Sequence, residues 1–155
     1  MPTRKAQDLP QTGKILCLDV GEKTLGIAVC DALRTIASPR TTIRRTKWGQ
    51  DKQALGTLIT TENITCIVVG LPLMMDGSQG ASADRSLNFA KLVEDELGLP
   101  VLLWDERLST AAAERSLFEQ RTGRQTRASK KDIKEHLDSV AAALILQSVL
   151  DALRG

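Results

Sequence analysis

KILCLDVGEKTLGIAVC, residues Lys14–Cys30, decides the architecture of this chain. Two runs rich in apolar and β-branched residues, Lys14–Val20 and Leu25–Cys30, flank Gly21-Glu22-Lys23-Thr24, a connection of hairpin length. They read as two antiparallel strands. The first ends on a carboxylate, Asp19, directly after Ile15-Leu16-Cys17-Leu18. A charged side chain is rarely placed against a core without a partner, so Asp19 is the first candidate for chemistry. Just beyond, Thr35–Ile43 suits a third strand, and Pro39 confines it to an edge or a bulge because proline donates no ladder hydrogen bond.

Further along, the spacing of Ala54, Leu55, Leu58 and Ile59 predicts a helix over about 51–62, with Asn63 placed to end it. Cys66–Gly70 is a short, fully apolar run, as expected of a buried parallel strand. The loop Leu71–Ala81 holds Gly77 and Gly80 and is expected to be mobile. A second helix follows, with Phe89, Ala90, Val93 and Leu97 inward and Gly98 and Pro100 as stop signals. Val101–Trp104 reads as another buried strand, and Ser109 can cap the alanine-rich helix behind it. Glu119–Ser129 is polar and basic, hence a loop. The last helix spans about 131–153, with Leu137, Val140, Ala141, Leu144 and Leu150 on its apolar side. The expectation is an α/β fold with a mixed five-stranded sheet, three antiparallel strands then parallel ones, flanked by helices. Residues 1–13 read as a flexible leader, and 14–155 as a single domain.

The chain has 155 residues, 42% hydrophobic and 26% charged, which is ordinary globular composition. No N-terminal apolar run suggests a signal peptide, and the apolar stretch Val140–Leu150 is broken by Gln147 and Ser148. A cytoplasmic protein away from membranes is expected. The three cysteines (Cys17, Cys30, Cys66) lie in strand-like runs without metal-binding spacing and suit core packing in a reducing compartment. The lone histidine, His136, reads as an exposed helical residue. Formal charge is only +2, but Arg121, Arg124, Arg127, Lys130 and Lys131 form one acid-free basic cluster, and Arg40, Arg44, Arg45 and Lys47 another. Such clusters suit phosphate contact or a solvated loop.

Asp19 ends the first strand, Asp105 and Glu106 end the last, and Asp138 stands near the start of a core-like helix. Ligands of open α/β sheets bind at the carboxyl ends of parallel strands. If the first, fourth and fifth strands are parallel neighbours, these acids converge there. Carboxylates without histidine or thiol make a hard-oxygen site, suited to Mg²⁺ or Mn²⁺ and to phosphodiester hydrolysis. Plainer readings stand beside this one. Asp19-Val20-Gly21 also suits a turn, Glu106 could pair with Arg107, and Asp138 could be an ordinary first-turn acid.

Four blocks in order, ILCLDVGEKTLGIAVCD (15–31), IVVGLPLMMDGSQG (67–80), WDERLST (104–110) and LDSVAAALILQ (137–147), resemble the bacterial YqgF/RuvX-type nucleases. That family is described in terms of Holliday junction resolution and pre-16S rRNA processing. The resemblance covers nearly all of Lys14–Leu150. It implies a ribonuclease H-like fold and maps an acidic triad onto Asp19, Glu106 and Asp138 as catalytic metal ligands, with Asp19 bridging. Lys23, Arg107 and Lys131 are assigned as substrate phosphate contacts from charge and position. The loop after Gly70 would close over the scissile region, its backbone N–H groups able to hold a phosphate. The long basic segment between the third and fourth blocks departs from the family pattern.

The leading expectation is therefore a metal-dependent hydrolase that cuts nucleic acid, in maturation of the 5′ end of pre-16S rRNA during ribosome biogenesis. The in-class alternative is a Holliday junction resolvase of DNA recombination and repair, which needs a dimer for symmetric nicking; monomer and homodimer both stay open. A non-catalytic RNA-binding ribosome-assembly or transcription factor is a second class. A sugar- or acetate-kinase-like phosphotransferase is a third, disfavoured because no second Gly-rich nucleotide motif is present. With two tryptophans, two phenylalanines and no tyrosine, stacking platforms are scarce, so recognition by shape and backbone is expected.

Overall fold

A computed structural model of the chain describes residues 1–109 and 130–154, with side chains of the last segment described from residue 136. Strands β1 (Lys14–Val20), β2 (Thr24–Cys30), β3 (Ala37–Arg44), β4 (Ile64–Leu71) and β5 (Val101–Asp105) form one sheet in the order β3-β2-β1-β4-β5. The β1–β2 and β2–β3 pairs are antiparallel, whereas β4 runs parallel to both β1 and β5. This is the mixed sheet expected from the sequence. Pro39 sits on the edge strand opposite Ala28, next to a register shift, where a missing N–H costs no ladder bond.

Helices α1 (Trp48–Glu62) and α2 (Ala81–Leu97) cover one face, and α3 (Lys130–Arg154) the other. Strand alternation divides the core accordingly. Leu16, Leu18, Ile27, Val29, Ile67, Val69, Val101 and Leu103 meet Leu55 of α1 and Phe89, Ala90 and Val93 of α2. Ile15, Cys17, Ala28, Cys30, Cys66, Val68 and Leu102 meet Ala141, Ala142, Ile145, Leu146, Val149 and Leu150 of α3. The cysteines are thus buried packing residues in the free thiol state. Asn63 ends α1 in the left-handed region (φ 56°), and Gly98 ends α2 there (φ 72°). α1 begins three residues earlier than its apolar spacing suggests, because Asp51 reaches back to accept from the Thr46 N–H at 3.2 Å.

α3 also departs from its expected pattern. Its buried side includes Ala142, Ile145, Leu146 and Val149, while Val140 and Leu144 are only half-buried. From His136 to Arg154 the helix is long and apolar enough to cross a membrane by length and composition. In the fold it is a core helix, and the Gln147 that interrupts the stretch clamps the β3 end. Its Oε1 accepts from Ala37 N–H at 3.0 Å, and its Nε2 donates to the Thr35 carbonyl at 3.2 Å.

The first residues, expected as a loose leader, make contacts with the sheet and the core. Thr3 pairs with the free edge of β5, its N–H donating to the Val101 carbonyl (2.9 Å) and its carbonyl accepting from Leu103 (2.8 Å). Ala6 and Leu9 are buried in the α3-side core. These two apolar side chains and the Thr3 backbone hold a segment that is otherwise mostly polar. The expected helix behind Ser109 and the loop Glu119–Ser129 lie outside the described residues.

Candidate active site

Ile15, Cys17 and Asp19 alternate onto the α3 side of β1, so the strand that buries its apolar residues delivers Asp19 to the carboxyl edge of the same face. Opposite Asp19 in the antiparallel register is Gly26 of β2. A side chain cannot stand there: a Cβ on Gly26 would lie 2.1 Å from the Asp138 carbonyl oxygen and 2.4 Å from its carbonyl carbon. Gly26 therefore lets α3 descend onto β2 at Asp138, beside Asp19. Asp138 is buried, at 7% exposure, and its Oδ2 accepts a 2.6 Å hydrogen bond from the Thr24 hydroxyl. That bond satisfies one oxygen of a carboxylate that burial would otherwise penalise.

Glu106 arrives from the far side of the sheet. The parallel register pairs Leu18 with Val69, so one residue on, Asp19 neighbours Gly70 of β4, and Gly70 pairs with Trp104 of β5. A Cβ on Gly70 would meet Glu106 Oε1 at 3.1 Å and Ile145 Cδ1 at 2.9 Å, so the Glu106 carboxylate occupies the space that a side chain would fill. Cys17, one pleat below, senses both acids. Burial pushes its thiol well up, and the charges of Asp19 and Glu106 raise it further. Asp19, Glu106 and Asp138 are thus brought to one edge of one sheet face.

Asp105, the other acid at this strand end, is used differently. It caps the 3₁₀ turn Glu106–Leu108 by accepting from Arg107 N–H (2.9 Å) and pairs with the Arg107 guanidinium, the Nη2–Oδ2 distance being 2.7 Å. Arg107 first of all, then desolvation acting the other way, leaves the Asp105 carboxyl below its usual range. Ser148 of α3 ties the turn down, accepting from Trp104 Nε1 at 3.2 Å and donating to the Leu108 carbonyl at 3.1 Å.

Of the expected phosphate contacts, Lys23 is exposed on the β1–β2 turn, and Arg107 is exposed beside Glu106 but engaged with Asp105. Lys131 lies on α3 with its side chain outside those described. The basic cluster Arg121–Lys131 likewise lies outside them. In the second cluster, Arg40 pairs with Glu62 (3.2 Å), while Arg45 donates to the Gly21 carbonyl (2.9 Å) and lies 5.0 Å over the Phe89 ring. Those two arginines hold the fold. His136 is exposed, as expected. The sequence reading missed Thr24, Gly26 and Gly70. A glycine inside a strand is itself the signal of a close approach and could have marked the latter two.

The donor set suits a hard divalent cation in kind. It offers carboxylate oxygens only, the nearby thiol is buried with its proton held, and Gly70 leaves a cradle for Glu106. Among the described residues, no three acid, thiol or imidazole groups are gathered tightly enough to enclose one ion. The acids line an edge that can share ions with oxygens of water and substrate, as Mg²⁺ sites at phosphates commonly do.

A β3-β2-β1-β4-β5 sheet with acids at its carboxyl edge under a long final helix defines the ribonuclease H-like class. The fold is shared with Thermus thermophilus RuvC in complex with Holliday junction substrate (TM-score 0.55, 15% identity, 92% of this chain and 96% of that one). It is also shared with the Fowlpox virus resolvase bound to Holliday junction DNA (TM-score 0.53, 12% identity, 92% and 99%). Within that class the chain belongs to the RuvX nuclease family: residues 13–152 match the family profile described as Holliday junction resolvase. Curated relatives from Paracoccus denitrificans (49% identity, 96% of this chain, 90% of the relative) and Novosphingobium aromaticivorans (46%, 95% and 90%) both bear the name "Putative pre-16S rRNA nuclease".

Proposed function

We propose that this protein is a cytoplasmic, divalent-metal-dependent nuclease that matures the 5′ end of pre-16S rRNA, with Asp19, Glu106 and Asp138 as its catalytic acids. The observation that carries the reading is the convergence of these three side chains at the carboxyl edge of the α3-covered face, through Gly26 and Gly70. The name borne by relatives at 46–49% identity supports the RNA substrate.

Asp19, Glu106 and Asp138 would hold Mg²⁺ or Mn²⁺, Asp19 standing between the other two because β1 lies between β2 and β4. When bound, the metal lowers the pKa of a water and stabilises charge on the departing oxygen of the phosphodiester. The chain's own residues orient that chemistry. Thr24 fixes one Asp138 oxygen. The 3₁₀ turn pinned by Asp105 and Ser148 sets the height of Glu106. Lys23 and Lys131 contact backbone phosphates, and Arg107 does so by sharing its guanidinium with Asp105.

The family description favours a second reading, resolution of four-way DNA junctions, which requires a homodimer. One experiment separates them. Wild type, Asp19→Asn and Asp138→Asn are incubated with a pre-16S rRNA fragment and with a four-way DNA junction, each with Mg²⁺, Mn²⁺ or EDTA. Metal-dependent cutting of the RNA, lost in both variants, is the expected result. Cutting of the junction alone moves the assignment to resolution. Binding without cutting in any metal, unchanged in the variants, refutes the enzyme and identifies an RNA-binding assembly factor.

A further inference from the structure

Beside the acids stands a structure that hydrolysis by carboxylates does not use. Between β4 and α2 the chain folds back on itself: Leu73 bridges Gln79, the Met74 N–H donates to the Ser78 carbonyl (2.9 Å), and the Gly77 N–H donates to the Met74 carbonyl (2.8 Å). Gly77 takes the left-handed φ of 86° that closes the turn, and Asp76 Oδ1 accepts from both the N–H and the hydroxyl of Ser78. A turn closed by its own hydrogen bonds gains nothing from apolar side chains at its tip, where Gly, Asn, Asp and Ser usually stand. Yet Met75 is 95% exposed and Met74 57%. Leu108, on the neighbouring Glu106 turn, is 63% exposed. The two turns adjoin, since a Cβ on Gly77 would lie 3.4 Å from Arg107 Nη1.

The tip carries one carboxylate and no cation, so it is unsuited to gripping phosphate. Its chemistry matches an apolar face, and the apolar faces available at a nucleic-acid-cutting edge are those of bases. None of the described aromatic side chains serves here. Among the described residues, Trp48 and Phe89 pack edge to face, and Trp104 is bonded to Ser148. Methionine is unbranched and polarizable, and apolar side chains of this kind enter base steps in proteins that kink nucleic acid.

We propose that the 73–79 hairpin is a nucleobase wedge: Met75, backed by Met74 and Leu108, inserts beside the scissile phosphodiester. Unstacking costs least where pairing is already broken. The substrate class is accordingly a nucleic acid with an interrupted helix at the cut, such as a bulge, a junction or a single-strand boundary, in preference to continuous duplex. The inference rests on the nuclease reading for its choice of ligand.

The probes are two short RNA duplexes, one continuous and one with a central bulge flanked by 2-aminopurine. Fluorescence is read in EDTA, where no cutting occurs, and cleavage is then read in Mn²⁺. Wild type is expected to raise the fluorescence of the bulged duplex in EDTA. In Mn²⁺, Met75→Ser is expected to cut that duplex with kcat/KM about tenfold lower, the factor that ~1.4 kcal/mol carries. Met75→Leu keeps both properties. If Met75→Ser unstacks and cuts the bulged duplex as wild type does, or if wild type leaves the fluorescence unchanged, the wedge is refuted and the nuclease stands. A fluorescence rise that depends on Met75, with no cutting by wild type in any metal, keeps the wedge and refutes the nuclease.

Discussion

Replacing Gly26 with alanine tests the contact on which the site is built. The added methyl would sit 2.1 Å from the Asp138 carbonyl oxygen and 2.4 Å from its carbonyl carbon, more than an ångström inside ordinary contact. Both are backbone atoms of α3, and β2 is held between β1 and β3, so neither side can give by rotating a side chain. The helix must lift away. Overpacking typically costs about 1–3 kcal/mol, and a rigid pair belongs at the upper end. A lifted helix also opens a gap over Cys17 and Ala28, and a gap of ~0.5–1 Å forfeits a quarter to a half of each dispersion contact. A loss of about 3 kcal/mol is expected in urea unfolding followed by tryptophan fluorescence. Trp104, bonded to Ser148 of α3, reports the interface directly. Gly56→Ala on α1 is the control. Nothing lies within 4 Å of its Cβ position, so helix propensity alone should raise stability by ~0.5–1 kcal/mol. A Gly26→Ala protein within about 0.5 kcal/mol of wild type, the range of an inconsequential surface change, would refute the close approach and with it the placement of Asp138 beside Asp19.

Other outcomes follow from neighbouring groups. Gly70→Ala first meets the side chains of Ile145 and Glu106 and not backbone, so stability should fall by ~1 kcal/mol or less while cleavage drops at least about tenfold as Glu106 is displaced; unchanged turnover would count against Glu106 at this position. Thr24→Val keeps the β-branched shape but leaves Asp138 Oδ2 short of its 2.6 Å bond, for an expected loss of about 1.5–3 kcal/mol that Thr24→Ser largely restores; a Val variant as stable as wild type would show that the bond contributes nothing. Asp31 is held down to about 2 from 3.8, first by the Thr35 hydroxyl and then by the Ile36 and Thr35 N–H groups. Because its folded pKa is depressed, its contribution is present above 3.8 and lost as pH falls through about 2; the denaturation midpoints of wild type and Asp31→Asn should converge over that window, and a constant gap would contradict the assignment.

Much of this was legible in the chain because strand alternation and helix stop signals are local. The β1–β2 hairpin, the edge role of β3 and the ends of α1 at Asn63 and α2 at Gly98 all follow from residues within a few positions of one another. Tertiary partners were not legible. Thr24 and Asp138 are 114 residues apart, and nothing in either neighbourhood reveals their bond. The buried side of α3 was misjudged at Ala142, Ile145 and Val149 because that helix is apolar on most of its circumference, so spacing alone does not choose a face. The docking of Thr3 on the β5 edge is not legible either, because it uses backbone groups, which any sequence possesses.

The consecutive acids Asp105 and Glu106 show how the sheet assigns roles that composition cannot. Trp104 faces α3, where its indole reaches Ser148, so Asp105 must face away; the chain then turns into the 3₁₀ segment and returns Glu106 to the α3 side over Gly70. Asp105 is left to cap that turn and fix Arg107, which in turn abuts Gly77 of the methionine hairpin. One acid holds the scaffold and the other faces the edge, although either would satisfy a motif. The glycines obey the same logic. Gly26 and Gly70 flank Asp19 on its two neighbouring strands, and each is small because an acid from another element occupies its side-chain volume. Enlarging either would keep the hydrophobic pattern that specifies the fold and break the spacing that specifies the site.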